Sequence, residues 1–215
     1  MRITAENTAD GITWFIILAL VAAGIFEIWQ MQWSNLFIVA QALVLSLIPY
    51  GLKKKYDIHT PNLLRAGIVA FMFATLFLGQ IRNFYTTYAW WDAVLHWFSS
   101  VCLTLIGFIL LSIFFKNRRL QATPFFTAVL ALSFALAGAV LWEIYEFILD
   151  EFFAPQEVMQ PSNIDTMVDL IAALIGGLMV CFGGYRYFKY KEDGIAASII
   201  KEAERNNVPI EREQI

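Results

Sequence analysis

Charge is scarce in this sequence. Only 15% of its 215 residues are Asp, Glu, Lys or Arg, and 59% are hydrophobic, against about 25% charged and 45–50% apolar in soluble domains. Mean hydropathy is +0.62, which excludes an ordinary water-soluble core-and-surface design. Cysteine is equally sparse. Cys102 and Cys181 stand alone in apolar stretches with no CxxC spacing, excluding a disulfide framework or a cysteine zinc knot and leaving small buried core residues. Histidine occurs twice, as His59 and His96, too few for a three-histidine zinc hydrolase of the ceramidase kind. Also missing are HExxH, a GxSG serine, an SGH-type phosphatase motif and the aspartate series of CDP-alcohol transferases. No small-residue cleavage site follows the acidic opening MRITAENTAD, so the first apolar block is expected to stay as a helix rather than be removed as a signal peptide.

What is present is long apolar runs. Crossing a bilayer takes about 20 mainly apolar residues in a helix, and six blocks qualify, at 12–29, 36–52, 63–81, 91–115, 125–149 and 164–188. None alternates as outer-membrane barrel strands do. The expected fold is therefore all-α, a polytopic membrane protein with six transmembrane helices over residues 1–190. A polar tail, 191–215, carries a short amphipathic stretch from Gly194, expected to lie on the membrane or pack loosely.

Local chemistry punctuates the blocks. Asp10 precedes the first, Thr60-Pro61 the third and Thr123-Pro124 the fifth, each offering an N-cap oxygen. Ser162-Asn163-Ile164-Asp165 has capping-box spacing before the sixth, with Asp in place of Glu.

Basic residues stay on the cytoplasmic side during insertion. Lys53, Lys54, Lys55 and Arg65, then Lys116, Arg118 and Arg119, then Arg186, Lys189 and Lys191 follow the even-numbered blocks. With Arg2 at the start and Lys201, Arg205 and Arg212 in the tail, an N-in, C-in topology leaves only Arg82 outside. Trp29, Trp33, Trp90, Trp91, Trp97 and Trp142, with Tyr85, Tyr88 and Tyr145, fall at the opposite end as an interfacial belt.

That topology gathers the acids at the outer end. Glu27 closes the first block, Asp92 opens the fourth, Glu143, Glu146 and Asp150 close the fifth, and Asp165 and Asp169 open the sixth; Glu151 and Glu157 add charge in the 151–161 loop. Residues three and four apart share a helix face. Asp92 pairs with His96, a stripe continued by Ser99, Ser100 and Thr104, while Glu143, Glu146 and Asp150 form a second stripe and Asp165 and Asp169 a third. Small residues, Ala172-xxx-Gly176, Ala173-xxx-Gly177 and 135–139 with Gly138, favour close approach of the last helices.

Ionisable groups within a membrane face a protein interior or water-filled cavity and mark ion, proton or substrate sites. Competing readings are plainer. Asp165 serves as a cap, Asp150 and Glu151 lie beyond the hydrocarbon, His96 hydrogen-bonds Asp92 or a headgroup, and Glu27 pairs with Arg82. If a metal binds, histidine with several carboxylates suits zinc, manganese or iron, whereas carboxylates alone suit calcium or magnesium. His59 lies beside the lysines on the other face, as a plain loop residue.

The string Trp90-Trp91-Asp92-Ala93-Val94-Leu95-His96, with Trp142-Glu143-Ile144-Tyr145-Glu146 and the run from Asp165 through Asp169 to Gly176, resembles the YjdF-like group of bacterial membrane-spanning proteins. More distantly it is similar to VanZ-like proteins, which carry an Asp-Lys-x-x-His helix start, an acidic position in the next helix and a last helix of Asp-Val-Leu-Ala-Asn type. Asp92, His96, Glu143, Asp165 and Asp169 coincide with those patterned sites. Ala93 stands where the VanZ-type lysine would be and Asp169 where its asparagine would be, removing a positive charge and adding a negative one. The resemblance covers the last three helices, implies a bacterial cytoplasmic-membrane protein and supplies no reaction.

The leading expectation is an outward-facing pocket between the last three helices that binds a divalent cation, zinc or manganese foremost, or an envelope-lipid headgroup. Asp92, His96, Glu143, Glu146 and Asp169 are the direct contacts. Arg82 balances their charge or meets a phosphate, and Asp165, Asp150 and Glu27 stand around them. Two alternatives are a metal-dependent hydrolase or transferase on a lipid-linked substrate and a proton- or cation-coupled transporter. The transporter reading is weakened by inner helix halves with few polar groups beyond Gln41 and Ser46. Membrane lipid is the expected partner; nucleic acid is not, because topology accounts for the basic clusters.

Overall fold

In a computed structural model the protein is helical throughout most of its described residues, 2–116, 122–153 and 159–207. Arg118, Arg119, Glu157 and Arg212, used above for topology and loop charge, lie outside them. Six helices are long and apolar enough to cross a membrane, and the blocks read from sequence match them within a few residues, apart from the polar extension of the first. They are α1 (Arg2–Trp29), α2 (Trp33–Tyr56), α3 (Asn62–Met72) running on into the π-helix π1 (Phe73–Ile81), α5 (Trp91–Lys116), α6 (Pro124–Ile148) with the π-turn π2 (Leu149–Phe153), and α7 (Asn163–Tyr190). A single turn, α4 (Phe84–Thr87), follows π1, and α8 (Ile195–Asn207) ends the described chain.

The chain divides into two compact units, 1–89 with 199–215, and 90–198. In the first, α1 packs on both α2 and α3 around Ile16, Ile17, Leu20, Val39, Ala42 and Val69, with Phe73, Phe77 and Ile81 of π1 against them. The π stretch brings Gly79 against Tyr85, where a Cβ would stand 2.3 Å from the ring. Sequence periodicity missed this widening, since an apolar run reads alike in α and π geometry.

Two starts differ from expectation. Asp10 is no cap: the helix begins at Arg2, and the Asp10 carboxylate instead pairs with Arg65. At α3 the N-cap is Pro61 without a side-chain cap, and the Asn62 N–H donates to Glu202 Oε1 of α8 at 2.9 Å. Nor is the tail helix loosely packed, for Ile199, Ile200 and Ala203 are buried, and Asn207 exchanges two hydrogen bonds with the His59 backbone, at 2.7 and 2.8 Å. By contrast Thr123 caps α6, accepting from the Phe126 N–H with Pro124 at the first turn, and Ser162 caps α7 through the Asp165 N–H.

The second unit is a three-helix bundle in which α5, α6 and α7 pack pairwise. Its buried faces are narrow stripes of small residues: Ala128, Ala131, Ala135 and Ala139 on α6, and Ala173, Gly176, Gly177, Val180 and Gly184 on α7. Without a hydrophobic driving force between helices in lipid, such stripes let backbones touch and maximise van der Waals contact. A Cβ at Gly176 would lie 2.3 Å from the Trp97 carbonyl oxygen, one at Gly107 would lie 3.0 Å from Ala131 Cα, and one at Gly184 would enter the Phe108 ring. Cys102 and Cys181 are buried in this packing as free thiols.

Candidate metal centre

The stripes that pack the bundle also carry its ionisable groups. One and two turns beyond Ala139, the buried face of α6 continues as Glu143 and Glu146. On α7 the same face begins one turn before Ala173, at Asp169. On α5 it runs His96, Ser100, Thr104, Phe108 and Ser112, all buried. Because α6 runs opposite in chain sense to α5 and α7, the C-terminal end of one helix meets the N-terminal ends of the other two. All the bundle's expected direct contacts therefore converge at one end.

His96 Nε2 lies 3.8 Å from Asp92 Oδ1, one turn earlier, and 3.4 Å from Glu143 Oε1 across the helix interface. Three overlapping sets, Asp92/His96/Glu146, His96/Glu143/Asp169 and Asp92/Asp165/Asp169, each hold ligand atoms within 4.8 Å of one another. Ligands held 2.0–2.2 Å from an ion span at most about 4.4 Å, so closure of any one of these three-residue sets onto a metal needs shifts of a few tenths of an ångström. Relative exposures are 4% for His96 and Glu146, 6% for Glu143 and 2% for Asp169; Asp92 is partly open, with 25% of its side chain accessible.

Glu143 is tied to the chain that returns after α6. Its Oε2 accepts from Gln160 Nε2 at 2.6 Å, and the same amide donates to the Glu143 carbonyl at 2.9 Å. Its Oε1, buried and facing His96, has no hydrogen-bond partner among the described residues. An unpaired buried oxygen costs about 1–3 kcal/mol, more when charged, so its side of the cluster calls for a cation or proton.

Gln160 was not legible from sequence, because its partner is 17 residues away and no local pattern marks it. Its position depends on Asp150, whose carboxylate accepts from the Met159 N–H at 2.8 and 2.9 Å and the Gln160 N–H at 2.7 Å. Asp150 thus folds the returning chain over the end of α6 rather than extending the ligand stripe. Glu151 is exposed beside it. Asp165 combines the two roles read for it, opening α7 at the Ser162 cap and joining one ligand set.

Two further expected residues, Glu27 and Arg82, lie in the first unit, and they form no ion pair with each other. Glu27 is buried and accepts from Asn35 Nδ2 at 3.1 Å, while Arg82 follows π1 and is exposed. Among the described residues of the second unit no lysine or arginine forms an ion pair with any carboxylate of the cluster. Ser99 turns back to its own helix, donating to the His96 carbonyl at 3.0 Å. Ser100 and Thr104 face α7, where a Cβ at Gly177 would stand 3.1 and 3.2 Å from their hydroxyls.

A protein of Thermotoga maritima that carries the name "Uncharacterized protein" is 30% identical over 128 residues, 60% of this chain and 65% of its own length. The chain thus covers just under two thirds of that relative. No solved structure matches. A family model described as "Predicted membrane protein (DUF2238)" matches residues 12–190, spanning all six apolar helices and every residue of the cluster. The chain belongs to the DUF2238 family of membrane proteins.

Proposed function

We propose that this protein binds a divalent cation, zinc or manganese, between α5, α6 and α7, with His96, Asp92, Glu143, Glu146 and Asp169 as ligands and Asp165 at the margin. The observation that carries the reading is the set of overlapping ligand groups around His96 and Asp169, with Glu143 Oε1 buried among them, 3.4 Å from His96 Nε2 and without a hydrogen-bond partner among the described residues. One imidazole with several carboxylates suits a borderline or hard first-row ion better than a soft one. Carboxylates without a basic partner among the described residues of their own unit need counter-charge, which a divalent ion supplies directly.

In this reading the protein spans a bacterial cytoplasmic membrane with both termini inside. The distribution of lysine and arginine supports that orientation, which turns the metal end outward. The motif likeness to YjdF-like and, more distantly, VanZ-like proteins groups four of these ligands, Asp92, His96, Glu143 and Asp169, with Asp165. A bound ion with an open coordination position would make lipid-linked substrates accessible to metal-activated water, so hydrolase assays follow if metal is found.

Cobalt substitution provides the test. Co²⁺ added to metal-free protein in detergent is expected to give visible d–d absorption that saturates near one equivalent and disappears in His96→Ala and Asp169→Asn. Wild-type protein giving only the spectrum of aqueous cobalt would refute the site.

A further inference from the structure

Between the end of α2 and the start of α3 the first unit contains a cavity of about 260 Å³, lined by Tyr50, Lys53, His59, Arg65, Glu202 and Arg205 among others. We propose that it is a binding site for a phosphate-bearing anion, closed on its remaining side by helix α8. It shares no residue with the metal cluster and calls for a ligand of opposite charge, so each proposal stands or fails alone.

Charge supplies the first argument. Lys53, Arg65 and Arg205 line the cavity against one carboxylate, and that carboxylate, Glu202, is engaged in receiving the Asn62 N–H. Asp10 offsets Arg65 from outside the lining, and the lining itself holds three cationic side chains to one carboxylate.

The second argument is preorganisation. Arg65 is fixed by Asp10, by a 2.8 Å bond from Nη2 to Asn62 Oδ1, and by the Tyr50 ring 5.3 Å from its Cζ. Its buried Nε and the buried Tyr50 hydroxyl have no hydrogen-bond partner among the described residues. Two fixed donors beside flexible cationic groups match the acceptor-rich surface of a phosphate. Helix α8 is held over the site by the Asn207–His59 and Glu202–Asn62 bonds, with its Ile199, Ile200 and Ala203 buried.

Size and place narrow the ligand. Pockets for drug-sized molecules run to roughly 300–1,000 Å³, so this cavity suits a headgroup phosphate or free phosphate rather than a nucleotide. It lies beside Lys53, Lys54 and Lys55 in the last turn of α2, where a hydrophobic span ends and basic pockets take anionic headgroups.

Native mass spectrometry of the full chain in detergent tests this, using phosphatidylglycerol, phosphatidylcholine and inorganic phosphate as separate probes. Phosphatidylglycerol is expected to be retained over phosphatidylcholine. Lys53→Ala should weaken it about fivefold, the value of one basic group near a headgroup, and Tyr50→Phe should weaken it while preserving the ring stack. Lys191→Ala, at the end of α7, should leave it unchanged. Millimolar inorganic phosphate that displaces the lipid in wild type and binds with the same variant dependence would assign the site to the free anion. Absence of preference over phosphatidylcholine together with no phosphate binding, or wild-type retention by folded Lys53→Ala and Tyr50→Phe, would overturn the proposal. Equal weakening by Lys191→Ala would overturn it as well.

Discussion

Replacing Gly176 with alanine inserts one methyl where α5 and α7 touch backbone to backbone. The new Cβ would stand 2.3 Å from the Trp97 carbonyl oxygen and 3.1 Å from its carbon. Ordinary contact begins at about 3.4 Å, so the helices must part by about 1 Å. Neither obstacle is a flexible side chain that could swing aside. Overpacking of this kind costs about 1–3 kcal/mol, and for a chain of this size we expect a fall in Tm on the order of 5 °C. Gly51 in α2 has nothing within 4 Å of a methyl group placed on its Cα, and Gly51→Ala should be neutral or stabilising by up to about 1 kcal/mol through helix propensity. Thermal unfolding of both variants in one detergent separates the packing term from any general effect of replacing glycine. Because Trp97 follows His96 and Gly176 lies two turns from Asp169, Gly176→Ala should also loosen the ligand set and weaken metal binding. A Gly176→Ala protein as stable as wild type would refute the backbone contact between α5 and α7.

Thr123→Ala removes the α6 cap to the Phe126 N–H and should cost about 1 kcal/mol, read as a lower Tm without change in metal binding. Asp150→Asn weakens the charged acceptor of the Met159 and Gln160 amides. Charge-assisted bonds contribute about 1.5–3 kcal/mol, so hydrogen exchange at these two amides should accelerate by roughly tenfold or more. Metal affinity should fall on acidification, as protons compete for carboxylates and imidazole, and isothermal titration from about pH 8 to about pH 5 measures it.

The spans were legible because hydrocarbon thickness imposes length and polarity directly on the chain. The grouping of the ionisable residues was legible for a related reason: Asp92, His96, Glu143, Glu146 and Asp169 are costly inside an apolar helix, and their three- and four-residue spacing fixes the face they share. Alanine and glycine stripes on those faces then indicate which way they point. What stayed hidden depended on partners distant in sequence. Asp10 looked like a cap because it preceded an apolar run, yet the polar residues before it continue the helix and Arg65 is its partner. Gln160 became visible only once Asp150 folded the chain back. The packing of α8 rests on Glu202 and Asn207 meeting backbone groups 140 and 148 residues away, beyond any local pattern.

The central claim is that His96, Asp169 and their neighbours hold a divalent cation. Its most direct test is elemental analysis of protein purified without chelator, with wild type beside Asp92→Ala, His96→Ala and Asp169→Asn. We expect close to one zinc or manganese per chain in wild type and a large loss in all three variants. No metal in wild type, even after both ions are offered back and excess is removed, would contradict the account and leave the carboxylates neutralised by protons.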